Sequence, residues 1–291
     1  MGNIALVTDS SAYLPPTLIQ QYGIHVIPLY VHFEDETFRD GVELDTAGFY
    51  EQLQRARSLP TTSQPSVGDF LELYRRLGQE AESIVSIHIS SGLSGTVPSA
   101  LGARQALFAE AAERGVGLPA IHVVDSTFTS VGLGLLVAAA ARAIEAGQSA
   151  EVVVRTVGDL IPRLKVIFVV DTLEYLQKGG RIGGAAALLG SVLQVKPVLY
   201  LTGGRIDVLE KVRTARKAKQ RLLEIMEEQM GRSAAVRAAI THANVPEEAE
   251  MLRRRVAERF DCRELFVCEL SPVIATHVGP GTVGLAFYAE P

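Results

Sequence analysis

Four segments of the 291-residue chain concentrate hydroxyls, and in two cases glycines, in patterns suited to holding a small anion. Ser90-Ser91-Gly92-Leu93-Ser94-Gly95-Thr96 interleaves two glycines with hydroxyls between an apolar run and a helical pattern. Backbone can approach a ligand closely there, and the aligned peptides of a helix start favour negative charge. Thr61-Thr62-Ser63-Gln64-Pro65-Ser66 puts four hydroxyls ahead of a helix expected from Ser66, more than a cap and a turn require. Thr8-Asp9-Ser10-Ser11 follows another apolar run, and its plain reading is a turn that caps the next helix. Thr276-His277-Val278-Gly279-Pro280-Gly281 reads as a loop, which makes His277 the one histidine of six in a glycine-rich setting. An imidazole there can donate to an anion or move a proton near neutral pH. His88 and His122 fall inside apolar runs and read as satisfied structural residues.

Two segments add cations. Arg181 follows the double glycine of Leu173-Glu174-Tyr175-Leu176-Gln177-Lys178-Gly179-Gly180-Arg181-Ile182, where it can pair with a carboxylate or phosphate or remain a solvated surface arginine. Residues 211–221 hold six cations, among them Arg213 and Arg216, in eleven positions; the ordinary reading is a solvated helix face, the functional one a docking surface for an acidic partner. A serine hydrolase is the enzymatic rival. Ser94, Asp171 and His277 occur in the chain order of α/β-hydrolase triads, with Ser94 at a strand-to-helix turn, but Thr96 stands where the nucleophile motif has its second glycine. No metal-ligand constellation, dinucleotide-binding glycine pattern or nucleotide-phosphate loop occurs, so no metal and no cofactor is expected.

These segments need a scaffold, and the apolar runs at 4–7, 26–31, 84–89, 120–124, 166–170, 198–201, 238–240 and 265–270 alternate with helical patterns, as in an α/β protein. Ser66 and Asp69 are spaced to cap a helix whose apolar stripe is Val67, Phe70, Leu71, Tyr74 and Leu77. A helix over 214–230 buries Leu222, Leu223, Ile225, Met226 and Met230. The run 198–201, Gly203-Gly204 and 206–212 form a hairpin, which a purely parallel sheet lacks. The expectation is therefore a parallel-sheet N-terminal domain over 1–160 and a mixed-sheet domain over 161–291, the boundary falling loosely at 147–162.

Composition narrows the function. The net charge, 28 − 33 = −5, excludes a general nucleic-acid binder. Mean hydropathy is +0.20, yet the longest uncharged stretches, 126–141 and 182–195, fall short of the roughly 18 residues of a spanning helix and are rich in Gly and Ala. No integral membrane segment is expected. The N-terminus lacks a secretory pattern, and Cys262 and Cys268, on one strand, read as small hydrophobes in a reducing cytoplasm.

Taken in order, Thr8-Asp9-Ser10-Ser11, Thr62-Ser63-Gln64-Pro65-Ser66, the segment from Ser90 to Thr96, that from Leu173 to Ile182, Lys196-Pro197-Val198-Leu199, Lys211-Val212-Arg213-Thr214 and His277-Val278-Gly279-Pro280-Gly281 resemble the DegV family of bacterial fatty-acid-binding proteins along the whole chain. Val97-Pro98 departs from the aromatic and polar pair that members often carry; a proline is tolerated in a first helical turn. The resemblance implies a two-domain DegV-like α/β fold with a Rossmann-like first sheet and a long-chain fatty acid in a buried tunnel. It also implies that the carboxylate is presented to a separate ATP-dependent fatty acid kinase subunit, which makes an acyl phosphate for phospholipid synthesis. Carried over, Thr62 and Ser94 donate to the carboxylate and His277 holds or polarises it, with Ser63 and Arg181 as further candidates. Such a protein is a carrier and not itself an enzyme. The alternatives are the hydrolase and a carrier of a small polar ketone, similar to the substrate-binding subunit of dihydroxyacetone kinases. Residues 131–141 and 182–195 are the expected tunnel lining.

Overall fold

The structure is a computed structural model that describes residues 3–189 and 195–290. The first part of the chain runs β1 (Ile4–Asp9), α1 (Pro16–Gln21), β2 (His25–Ile27), β3 (Tyr30–Phe33), β4 (Glu36–Arg39), α2 (Thr46–Arg55), β5 (Thr61–Ser63), α3 (Val67–Leu77), β6 (Ser83–His88), α4 (Thr96–Arg114) and β7 (Ala120–Asp125). Two helices follow, α5 (Ser130–Glu145) and α6 (Ala150–Leu160). The remainder is β8 (Lys165–Val169), α7 (Glu174–Lys178), a 3-10 turn (Gly183–Leu188), β9 (Lys196–Thr202), β10 (Arg205–Val212), α8 (Ala215–Met230), β11 (Ala235–His242), α9 (Pro246–Arg259), β12 (Asp261–Glu269), α10 (Pro272–Val278) and β13 (Val283–Ala289).

Three sheets result. β2-β1-β6-β7 is parallel throughout, and β10-β9-β8-β13-β11-β12 is mixed, with only β11 and β12 parallel. The third, antiparallel β4-β3-β5, was not foreseen. The single run at 26–31 divides between β2 and β3, which belong to different sheets, because Pro28 has no N–H to continue a ladder. Thr61-Thr62-Ser63, read as a pre-helical loop, is an edge strand of this small sheet, with Val31 opposite Thr62.

The order of layers explains the apolar composition. α5 packs on β1 and β6 of one sheet and on β11 and β13 of the other, so every residue of its first three turns, from Ser130 to Ala141, is buried. A helix covered on opposite faces needs apolar residues all round. α8 and α9 cover the far face of the mixed sheet, where Leu222, Leu223, Ile225 and Met226 are buried and Met230 is half-buried, while α3 and α4 cover the far face of the parallel sheet. On α3 the expected stripe holds at Phe70, Tyr74 and Leu77, but Val67, in the first turn, is exposed. Ser66 and Asp69 form the capping box reciprocally, and Gly203 and Gly204, at φ 54° and 79°, make the two-residue turn between β9 and β10. Among the described residues no helix is long and apolar enough to cross a membrane.

Candidate functional site

The loop after β6, the edge strand β5, the end of α7 and the last turn of α10 converge on one chamber. Thr62, Ser63, Ser94, Arg181 and His277 all line it, together with apolar residues such as Leu29, Ile89, Leu176 and Val273. His277 is not in a loop: it occupies the last turn of α10, and the glycines begin after the helix ends. Its Nε2 lies 2.7 Å from Thr62 Oγ1, while Nδ1 is buried without a partner among the described residues. Burial, with the Arg181 guanidinium nearby, pushes the His277 imidazole down to about 4, so the ring is neutral at pH 7. A glycine creates its berth, and a second seats Tyr175. A Cβ at Gly179 would overlap the imidazole, and one at Gly279, where φ is 72°, would overlap the Tyr175 ring.

The other groups are held as firmly. Ser94 Oγ is 2.9 Å from Thr96 Oγ1, at the start of the 19-residue α4, whose N-cap Gly95 supplies no side-chain oxygen. Ser94, which lines the chamber, immediately precedes that helix start, whose partial positive charge suits an anion. Arg181 donates through Nε to the Leu93 carbonyl at 3.1 Å and through Nη1 to the Gly179 carbonyl at 2.7 Å, so it supplies charge to the wall while bracing two loops. Ser63 Oγ is engaged by His32 Nε2 at 2.8 Å. Sequence reasoning passed over His32 and also Gln64, which lines the chamber although it stood inside a quoted motif.

A carboxylate fastens the helix that carries His277. Asp40, 1% exposed, accepts from Ser10 Oγ at 2.6 Å, from Ser271 Oγ at 2.8 Å and from the Val273 amide at 3.3 Å in the first turn of α10. Burial pushes its carboxyl up to about 6. Asp40 follows β4 of the small sheet that also carries Thr62, so one residue ties both sides of the Thr62–His277 contact.

A second chamber, almost wholly apolar, adjoins the first. Thr129, Ile206, Ile274 and Val278 line both, and Val166, Phe168, Leu201 and Leu285 line the second. Of residues 131–141 only Val131 reaches this space; the rest of that segment is core between the sheets. Of 182–195, residues 182–189 line neither chamber, and 190–194 lie outside the described residues.

The hydrolase arrangement is not assembled. Asp171 is exposed and its carboxylate sits 3.3 Å from Lys196 Nζ, whereas His277 Nδ1, the atom a triad aspartate must hold, has no partner. A serine–histidine–aspartate chain does exist elsewhere: Tyr74 donates to Ser86 at 2.9 Å, Ser86 Oγ is 2.6 Å from His88 Nε2, and His88 Nδ1 is 3.0 Å from Asp9 Oδ2. Ser86, His88 and Asp9 are all 0% exposed, so this network braces the parallel sheet and no substrate reaches it. It also explains Thr8-Asp9-Ser10-Ser11, which does not cap α1: Asp9 accepts from the Ser11 amide and hydroxyl and from the Ile89 amide. His88 is thus satisfied, but His122 Nε2, expected to be, is buried without a partner. Cys262 and Cys268 lie on β12 as half-buried free thiols, and burial pushes that of Cys268 up to about 12.

Arg213 and Arg216 are far from these chambers in role: both are exposed, and Arg216 lines a groove between α8 and α9. Two other cations of the basic run are internally paired, Lys219 with Glu248 and Arg221 with Glu210, Glu224 and Glu228. Among the described residues no cluster of potential metal ligands occurs.

The family model described as "Uncharacterised protein, DegV family" matches residues 3–290. A DegV domain-containing protein of Streptomyces coelicolor is 41% identical over 285 residues, which is 97% of each chain. A solved structure described as fatty acid binding of a DegV family protein from Thermus thermophilus has a TM-score of 0.89 at 38% identity, covering 99% of this chain and 100% of that one. The crystal structure of DegV, described as a fatty acid binding protein from Bacillus subtilis, has a TM-score of 0.88 at 36% identity and covers 100% of both chains.

Proposed function

The chain belongs to the DegV family, and from that premise we propose that it binds one long-chain fatty acid, carboxylate in the polar chamber and tail in the apolar one. The observation that carries this reading is the adjacency of a polar and an apolar chamber that share Thr129, Ile206, Ile274 and Val278 as lining. A small polar ketone would leave the apolar chamber unfilled, which favours the long chain over that alternative. At about 0.8 kcal/mol per buried CH₂, a sixteen-carbon acid gains on the order of 12 kcal/mol gross from the tail.

The head group is then a matter of orientation. With its proton on Nε2, His277 donates to Thr62 Oγ1 and leaves the Thr62 hydrogen to point at a carboxylate oxygen; Thr96 does the same for Ser94. Arg181 and the start of α4 supply positive potential without a bidentate clamp. A carboxylate held by neutral hydroxyls keeps a lone pair available, and the proposed reaction at a separate kinase subunit uses it. A carboxylate oxygen attacks the γ-phosphorus of ATP in line, the bond to ADP breaks, and an acyl phosphate forms. Exposed Arg213 and Arg216 are the proposed docking residues for that subunit, and this chain acts as a carrier.

Native mass spectrometry of the purified protein, compared with solvent extraction, tests the ligand. One co-purifying fatty acid per chain is expected, and a protein that neither carries one nor can be loaded with palmitate or oleate would overturn the proposal.

A further inference from the structure

We infer that the tunnel contains a second polar subsite, at the first turn of α5, for an oxygen substituent on the acyl chain close to its carboxylate; this rests on the fatty-acid reading above. The chemical class is a long-chain acid hydroxylated within its first few carbons. Thr129 Oγ1 and Ser130 Oγ are buried and have no hydrogen-bond partner among the described residues. Ser130 is 6% exposed and lines the apolar chamber, and Thr129 lines both chambers at their junction.

Their neighbours behave differently. Thr241, on the same apolar chamber, donates to the Cys268 carbonyl at 3.0 Å, and Thr282 lies 3.2 and 3.0 Å from the carbonyls of Val278 and Gly279. Those hydroxyls are consumed by backbone, as hydroxyls on an apolar wall normally are. Thr129 could have been consumed in the same way, because it is the N-cap of the 16-residue α5, yet its side chain caps nothing. Ser130, which lines the apolar chamber, takes a left-handed φ of 57°, unusual for a residue with a Cβ.

Two adjacent buried hydroxyls without a partner beside an apolar chamber are costly unless a ligand atom meets them. The start of a buried helix adds partial positive charge that suits an acceptor oxygen. Position along the ligand follows from Thr129, which shares the wall of the head chamber with Thr62, Ser94 and His277, so the oxygen belongs near the carboxylate and not toward the methyl end.

The test is a competition titration of the delipidated full-length protein with matched pairs: hexadecanoate against 2- and 3-hydroxyhexadecanoate, and octadecanoate against 12-hydroxyoctadecanoate. One of the two proximal hydroxy acids is expected to bind about ten-fold tighter than its parent, the worth of one buried hydrogen bond, and the distal one no tighter. Thr129→Val should bring the proximal ratio to about one, and Ser130→Gly, which accepts the left-handed backbone, should reduce it. A wild-type protein without proximal preference, or a preference that survives both substitutions, overturns the subsite while leaving the carrier reading intact. Failure of the unsubstituted acids to bind at all overturns both.

Discussion

Thr62 Oγ1 and His277 Nε2 lie 2.7 Å apart although 215 residues separate them in the chain. The contact joins the edge strand of the small sheet to the last turn of α10, so the head-group chamber exists only when these two parts of the fold are docked. If the imidazole acts through the threonine hydroxyl, Thr62→Val and His277→Gln each weaken fatty-acid binding by about ten-fold, near 1.4 kcal/mol. The double variant then loses clearly less than the sum of the two. A titration cycle over the four proteins checks this, and strictly additive losses would show that the residues act on the ligand separately.

The berth of His277 gives a second expectation. A methyl group at Gly179 overlaps the ring, so the ring must leave its present position for the chamber it lines. Gly179→Ala should therefore displace the imidazole from Thr62 and reduce fatty-acid affinity by an amount close to that of His277→Gln, with a stability cost of about 1–3 kcal/mol from overpacking. Gly180→Ala is the comparison: its surroundings are open and its left-handed φ of 70° costs stability, so it should lower the melting temperature without the same loss of affinity.

Much of this scaffold could be read before the structure, for local reasons. The Ser66–Asp69 box, the Gly203-Gly204 turn and the apolar α5 are each set by residues a few positions apart. What escaped depends on long-range contact. Pro28 parts two strands that hydropathy joins, and the partner that makes Thr61–Ser63 a strand is β3, some thirty residues earlier in the chain. The glycines near His277 suggested a loop, but Gly179 and Gly279 serve close approach to a ring and to Tyr175, and only the last three residues of the seven-residue α10 fall inside the motif that begins at Thr276. Ser94, Asp171 and His277 keep a triad's chain order without its geometry, and Ser86, His88 and Asp9 have the geometry without access. Residue order carried no information about either exposure or orientation.

The basic run separates into cations with internal partners and cations that point outward. Reversing charge at Arg213 and Arg216 should leave fatty-acid loading unchanged, since neither lines the chambers, and should lower acyl-phosphate formation with the kinase subunit at least ten-fold. The loss should shrink as salt rises, because exposed charges are screened. Equal kinase coupling in the double reversal would remove this surface from the proposal. Lys219 and Arg221 are poor choices for the same experiment, because their replacement strands Glu248, Glu210 and Glu228.

Two buried groups at opposite ends of α10 have opposed pH dependence. His277 is held at about 4, below its ordinary 6.5, so its contribution to stability is full above pH 6.5 and is lost as pH falls toward 4. Asp40 is held at about 6, above its ordinary 3.8, so its contribution is full below pH 3.8 and is lost as pH rises through 6. Each amounts to about 3 kcal/mol across its window, and between pH 6 and 4 they largely cancel. Asp40→Asn removes the compensation and should make the ligand-free protein lose stability more steeply than wild type as pH falls from 6 to 4. His277→Gln should do the reverse. Urea midpoints at half-unit pH intervals decide the matter, parallel curves for the three proteins being the contrary result. Loading with a fatty acid should flatten the Asp40→Asn curve, because a carboxylate beside His277 favours the protonated ring and raises its pKa.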